Sequence, residues 1–148
     1  MGALCRTLAA MKKPSSSPAA VLYLRLAAAS GFIVVGLGAF GAHGLRSLLG
    51  AERLGTWETA VHYQMFHVVG LLVVGLLAER GDTALLRWSG WSFVLGTLLF
   101  SGSLYVLALT GVRWLGMITP LGGLCFLLGW ALLFKAAASL SVTSTMHE

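Results

Sequence analysis

A chain of 148 residues that is 57% hydrophobic and only 10% charged cannot clothe an ordinary soluble domain in charge, so its expected solvent is the bilayer. Its net charge of +5 is scattered along the length rather than gathered into a stripe, which speaks for topology and lipid-surface attraction and against nucleic acid as a partner.

The N-terminal segment MGALCRTLAAMKKPSSSPAAV pairs a basic patch with an apolar run, as a signal peptide would. That run continues past Ala29 and is long enough to span, so it reads as a retained first helix behind a Pro/Ser-containing cytoplasmic tail over residues 1–20. Met11, ahead of Lys12 and Lys13, is an alternative start. Charge positions then bound four uncharged runs, each at least the roughly 20 residues that a crossing helix needs. They predict helices over about 22–44, 59–78, 88–112 and 114–135, within a transmembrane domain at 21–138 and ahead of a cytoplasmic tail at 139–148. Runs this long inside a bilayer must satisfy their own backbone groups, so the fold class is all-α, an integral membrane four-helix bundle with short loops. The first loop, RSLLGAERLGTWE, mixes leucines and Trp57 with Arg46, Glu52 and Arg53, the composition of a short segment lying along the interface. Trp57, Trp88, Trp91 and Trp114 read as interface anchors. Cys5 and Cys125 fall on different levels of this topology, and no disulfide is expected.

Orientation follows from lysine and arginine, which accumulate in cytoplasmic loops. Arg6, Lys12, Lys13, Arg25, Arg80, Arg87 and Lys135 fall on the side of the termini, against Arg46, Arg53 and Arg113 opposite. Both termini are therefore expected in the cytoplasm and the protein in a plasma (inner) membrane. Small residues such as Ala27, Gly31, Gly96, Gly122 and Gly129 occur along the helices and favour close backbone approach, with the oligomeric state open.

The second helix opens with TAVHYQMFHVVG, which sets polar groups in a run that is otherwise apolar. With 1.5 Å of rise per residue, His67 lies about 12 Å in from Thr59, where an unpartnered imidazole is costly. It shares a face with Tyr63 and Gln64, while His62 points with Met65 and Phe66. On the third helix Thr97, Ser101 and Tyr105 are spaced four apart along one face, Ser101 and Tyr105 roughly 16 and 10 Å below the outer surface. His43 ends the first helix among glycines, and Thr119 with Pro120 opens the fourth. The expected candidate site is thus a polar cluster of His43, Tyr63, Gln64, His67, Ser101, Tyr105 and Thr119 in the outer half of the bundle. Its plainest role is a buried hydrogen-bond network that locks the helices.

GAFGAHGL from Gly38, YQMFH from Tyr63, LGTLLFSGSLYVLAL from Leu95 and TPLGGLCFLLGWALL from Thr119 resemble, in order, the small YgdD-type inner-membrane family, a domain of unknown function. The resemblance covers residues 26 to 134. It implies a four-helix integral membrane protein, with no activity, substrate or cofactor to carry over. His43, Tyr63, Gln64, His67, Ser101, Ser103 and Tyr105 fall on its motif positions, whereas His62 and Met65 do not.

Two functional classes follow. The first is a non-enzymatic membrane protein without a cofactor, either a partner in a membrane complex, itself or with other copies, or a small conduit. The second is a redox or metal-handling protein in which His43 and His67 ligate haem or copper, with Met65 or Met117 nearby. No CxxCH or HExxH motif supports the second. A hydrolase or transferase lacks its parts, because no aspartate or glutamate lies inside the four spans to orient a histidine or form an acid/base pair.

Overall fold

The computed structural model describes residues 17–144, with side chains to 139, so Met11, Cys5 and the expected N-terminal tail up to residue 16 lie outside the described residues, while 18–20, expected in that tail, are helical. Ser17 precedes Pro18, which sits in the first turn of α1, Pro18–Phe40, where its missing N–H costs no hydrogen bond. A five-residue π-helical turn, Gly41–Leu45, finishes α1. α2 spans Ala51–Arg80, with Glu52 in its first turn and Arg80 in its last, each matched to the partial charge of its helix end. The segment expected along the interface in the first loop is therefore helical from Ala51, and the loop itself is 46–50. α3 opens at Thr83, whose hydroxyl accepts from the amide of Leu86. It runs Ala84–Gly96, widens into a π-helical segment at Thr97–Ser101, and resumes at Gly102–Thr110. Gly111 ends it at φ 73°, a left-handed conformation that favours glycine. After the 3-10 turn Arg113–Met117, α4 spans Thr119–Ser144, beyond the end expected near 135.

All four helices are long and apolar enough to cross a membrane, over Pro18–Leu45, Ala51–Arg80, Ala84–Thr110 and Arg113–Ser139. Short connections make neighbours antiparallel, which puts the loops at 46–50 and 111–112 at one end of the bundle and the 81–83 loop at the other, the termini end. Packing is uneven. α1 lies along α2, α4 lies along α3, and α2 and α3 meet in the middle, while α1 and α4 have little to do with each other. The result is a bundle with a groove on each side, one between α1 and α3 and one between α2 and α4.

Two apolar clusters hold it. Towards the termini, Tyr23 and Ala27 of α1 join Leu71 and Val74 of α2, Phe93 of α3 and Phe126 of α4. At the other end Leu45, Trp57 and Ala108 pack with Leu37, Val61 and Tyr105. Aromatic rings seat on glycines across the interfaces: Tyr23 on Gly90, Phe126 on Gly96, Phe93 on Gly129. The closest backbone approach is at Gly122 of α4. A Cβ there would fall against the backbone nitrogen of Phe100 and 2.8 Å from its Cα.

Trp57 departs from its expected place. Rather than anchoring at the interface it is 2% exposed, donating from Nε1 to the carbonyl of Leu37 at 3.0 Å and packing on Tyr105 with centroids 4.6 Å apart. Gly41 is the reason, since a Cβ there would lie 2.6 Å from the indole. Trp88, Trp91 and Trp114 are exposed, as anchors need to be.

Candidate functional site

The seven residues expected in one polar cluster divide among several separate settings. Gln64, 5% exposed, sits where α1, α2 and α3 meet. Its Oε1 accepts from Tyr105 Oη at 2.9 Å, and its Nε2 donates to Ser30 Oγ at 3.1 Å and to the Ser30 carbonyl at 3.3 Å. One amide thereby ties three helices with both of its ends in use, the kind of paired polar contact that a bilayer interior tolerates. Ser30 was not among the expected residues; a small hydroxyl in the run AAASGF carries little signal until its partner is known.

Thr119 belongs to a second interface, where its Oγ1 lies 3.1 Å from Ser103 Oγ and bonds α4 to α3. Ser89 adds another α3–α4 tie, donating to the carbonyl of Gly129 at 2.8 Å. His43 is exposed in the π turn that ends α1 and makes no hydrogen bond or ring contact with the other six among the described residues. The stripe of Thr97, Ser101 and Tyr105 does not keep one face. The wide turn, closed by Gly102 N–H to the Thr97 carbonyl, shifts the phase of the helix. Thr97 and Tyr105 line the α1/α3 groove, whereas Ser101 is fully enclosed and its Oγ has no hydrogen-bond partner among the described residues.

Tyr63 and His67 are placed differently again. They face the α2/α4 groove, a cleft of about 980 Å³ lined almost wholly by apolar atoms. His67 is 5% exposed and its Nδ1 lies 2.7 Å from the carbonyl oxygen of Tyr63. A carbonyl only accepts, so Nδ1 carries the hydrogen, and in the uncharged ring that an apolar wall favours Nε2 is left as an acceptor. The imidazole lies flat on Phe126, with centroids 3.4 Å apart and planes at 5°. Tyr63 stacks on Phe100 at 4.3 Å, and Phe66 and Trp130 pack at 5.4 Å beside them. His62, expected on a different face, lines the rim of the same groove. The aromatic residues Phe66, Phe100, Phe126 and Trp130 were absent from the expected site because in an apolar run each reads as an ordinary lipid-facing or core residue.

His43 and His67 share no groove, and among the described residues no group of three or more His, Cys, Asp or Glu is placed to hold a metal ion. A ligand pair from these two helices is therefore not assembled.

Fold and site together define a multi-pass membrane protein whose deep polar side chains mostly join helices, with one histidine set apart in an aromatic groove. The chain belongs to the family described as Protein of unknown function (DUF423), which it matches over residues 37–123. It is 49% identical over 113 residues to the UPF0382 membrane protein of Staphylococcus haemolyticus (strain JCSC1435), covering 76% of this chain and 91% of that protein. It is similar too to the UPF0382 inner membrane protein YgdD of Escherichia coli (strain K12), 45% identical over 125 residues, 84% of this chain and 95% of the relative. No solved structure matches the chain.

Proposed function

We propose that this protein is non-enzymatic and works by recognition within the plane of the membrane, holding a membrane constituent in the groove between α2 and α4. The observation that carries this reading is the pairing of a groove of about 980 Å³, open to the lipid side, with a histidine that is buried in its wall. Gln64, Tyr105, Ser103 and Thr119 are engaged in ties between helices, which leaves them no part in a polar track across the bundle and weighs against a conduit. Among the described residues no acidic side chain lines the groove to orient His67 for acid/base work, which supports the non-enzymatic reading. With seven of the ten basic residues on the termini side, both termini lie in the cytoplasm of the inner membrane.

The test is mass spectrometry of material extracted from protein purified in mild detergent. A membrane-soluble compound or membrane protein should accompany the wild type and be depleted from Gly123→Leu. Gly123 lines the groove, and its Cβ would meet only Phe100 side-chain atoms at 3.9 Å or beyond, so this substitution fills the groove from its α4 wall. Wild-type protein that carries nothing while its proteoliposomes pass a solute would replace recognition with conduction.

A further inference from the structure

The in-plane reading leaves the occupant unnamed, and the chemistry of His67 narrows it. Nδ1 is held by the Tyr63 carbonyl, and no hydrogen bond reaches Nε2 from any described residue. Nε2 is not a sealed atom either: Ser101 Oγ is the one enclosed side-chain nitrogen or oxygen without a partner among the described residues. His67 lines the α2/α4 groove, so its free acceptor is reached from there. At membrane depth an acceptor without a donor is a cost that a ligand bearing a donor removes. Among the described residues the groove is lined by no lysine, arginine, aspartate or glutamate, and the one other imidazole, His62, stands at its rim, so a phosphate headgroup would find no lysine or arginine beside His67 and a cationic ligand no counter-charge. Its walls offer flat rings instead, the His67–Phe126 stack and the Tyr63–Phe100 stack, with Trp130 beyond, which favour another flat ring over a saturated chain. The Tyr63 hydroxyl, also without a hydrogen-bond partner among the described residues, supplies a second polar contact at the more exposed side of the site.

Resting on the in-plane reading above, we propose that the α2/α4 groove binds an isoprenoid quinol from the lipid phase, its ring among these aromatics and one ring hydroxyl donating to His67 Nε2. Met65, Leu124 and Leu127 at the groove carry the first part of the tail, and the remainder lies in lipid. With the hydrogen of the uncharged ring on Nδ1 and engaged there, Nε2 accepts but does not donate, so the hydroxylated, reduced ring binds more tightly than the oxidised one, whose oxygens only accept. One hydrogen bond is worth about a five- to tenfold difference in Kd.

The experiment is titration of the full-length protein in nanodiscs with decylubiquinol, kept reduced under argon, and separately with decylubiquinone, read by tryptophan fluorescence. Trp130→Phe identifies the share of the signal that comes from the groove. Wild type should saturate with both and favour the quinol by about five- to tenfold. His67→Phe keeps a ring on Phe126 but has no acceptor, and should erase the preference, and Gly123→Leu should abolish saturable binding of both forms. Absence of saturable binding in wild type overturns the proposal, as does a preference that survives His67→Phe. If neither probe binds but brominated phospholipid quenches Trp130 in a manner that Gly123→Leu relieves, the quinol is wrong and in-plane recognition stands. If Gly123→Leu instead breaks a dimer of the chain, the occupant is a second copy and the quinol is again overturned. If quinol, lipid and dimer are all indifferent to Gly123→Leu, both readings fall.

Discussion

Gly122 and Gly123 are neighbours on α4 with opposite surroundings, and a pair of alanine substitutions separates backbone contact from helix propensity. A methyl on Gly122 would strike the Phe100 backbone, 2.8 Å from its Cα, at the π-helical segment of α3. Backbone cannot step aside by changing rotamer, so α3 and α4 must separate along an interface that also carries the Ser103–Thr119 and Ser89–Gly129 hydrogen bonds. Overpacking of this kind costs about 1–3 kcal/mol, from which a helix-propensity gain of up to about 1 kcal/mol is subtracted. The same methyl on Gly123 meets only Phe100 side-chain atoms, at 3.9 and 4.0 Å, and keeps the propensity gain. Thermal unfolding in a mild detergent, followed by circular dichroism, should therefore show Gly122→Ala melting several degrees below wild type and Gly123→Ala at or slightly above it. Equal melting temperatures for the two variants would mean that α3 and α4 do not approach as described.

Tyr105→Phe removes the donor to Gln64 Oε1 while keeping the ring on Trp57, and should lower stability by about 0.6–1.7 kcal/mol in the same assay. Gln64→Leu strands both Ser30 Oγ and Tyr105 Oη and should cost about 2–3 kcal/mol; a smaller loss than for Tyr105→Phe would count against the three-helix tie. Ser101→Ala deletes an enclosed hydroxyl without a partner and should raise the melting temperature, and a fall would show that the hydroxyl is satisfied after all. Cysteine at 101 should resist a water-soluble maleimide in intact membranes, whereas cysteine at the exposed position of His43 should react from the side of the 46–50 loop.

The four crossings were legible because charge marks their ends: Arg25, Arg46, Glu58, Glu79 and Arg113 leave little freedom in where the apolar runs lie. The start of α2 was less so. Glu52, Arg53 and Glu58 look like loop composition, yet Gly50 followed by an acidic first turn begins a helix there. Depth along each helix could be counted, and it set Ser101 and Tyr105 on either side of the level of His67, whereas the hydrogen bond of Tyr105 goes to Gln64. Direction around the axis could not, because it depends on which neighbour each face meets. Gln64 and His67 are three residues apart on α2, yet Gln64 meets α1 and α3 while His67 stacks on Phe126 of α4. Trp57 shows the same gap, since only the bare Gly41 opposite it turns an anchor into a core residue.

The π-helical segment of α3 has one more consequence. Five residues stand at Thr97–Ser101 where four would close an α-helical turn, so α3 contains, in effect, one residue inserted between its two halves. Each residue advances an α-helix by about 100°. Deleting a single residue such as Leu98 would let the ladder close as a plain α-helix and leave everything beyond it at its present angle to the half that carries Phe93, because the wide turn already takes up the extra residue. Closing the turn with every residue kept would instead swing the second half by that angle and turn Tyr105 away from Gln64 and Ser103 from Thr119, although both halves would remain intact helices. In chain-length terms α3 therefore tolerates the loss of one residue at Thr97–Ser101 better than elsewhere in its middle, and homologues that lack one residue there should keep the contacts between the bulge and Gly111.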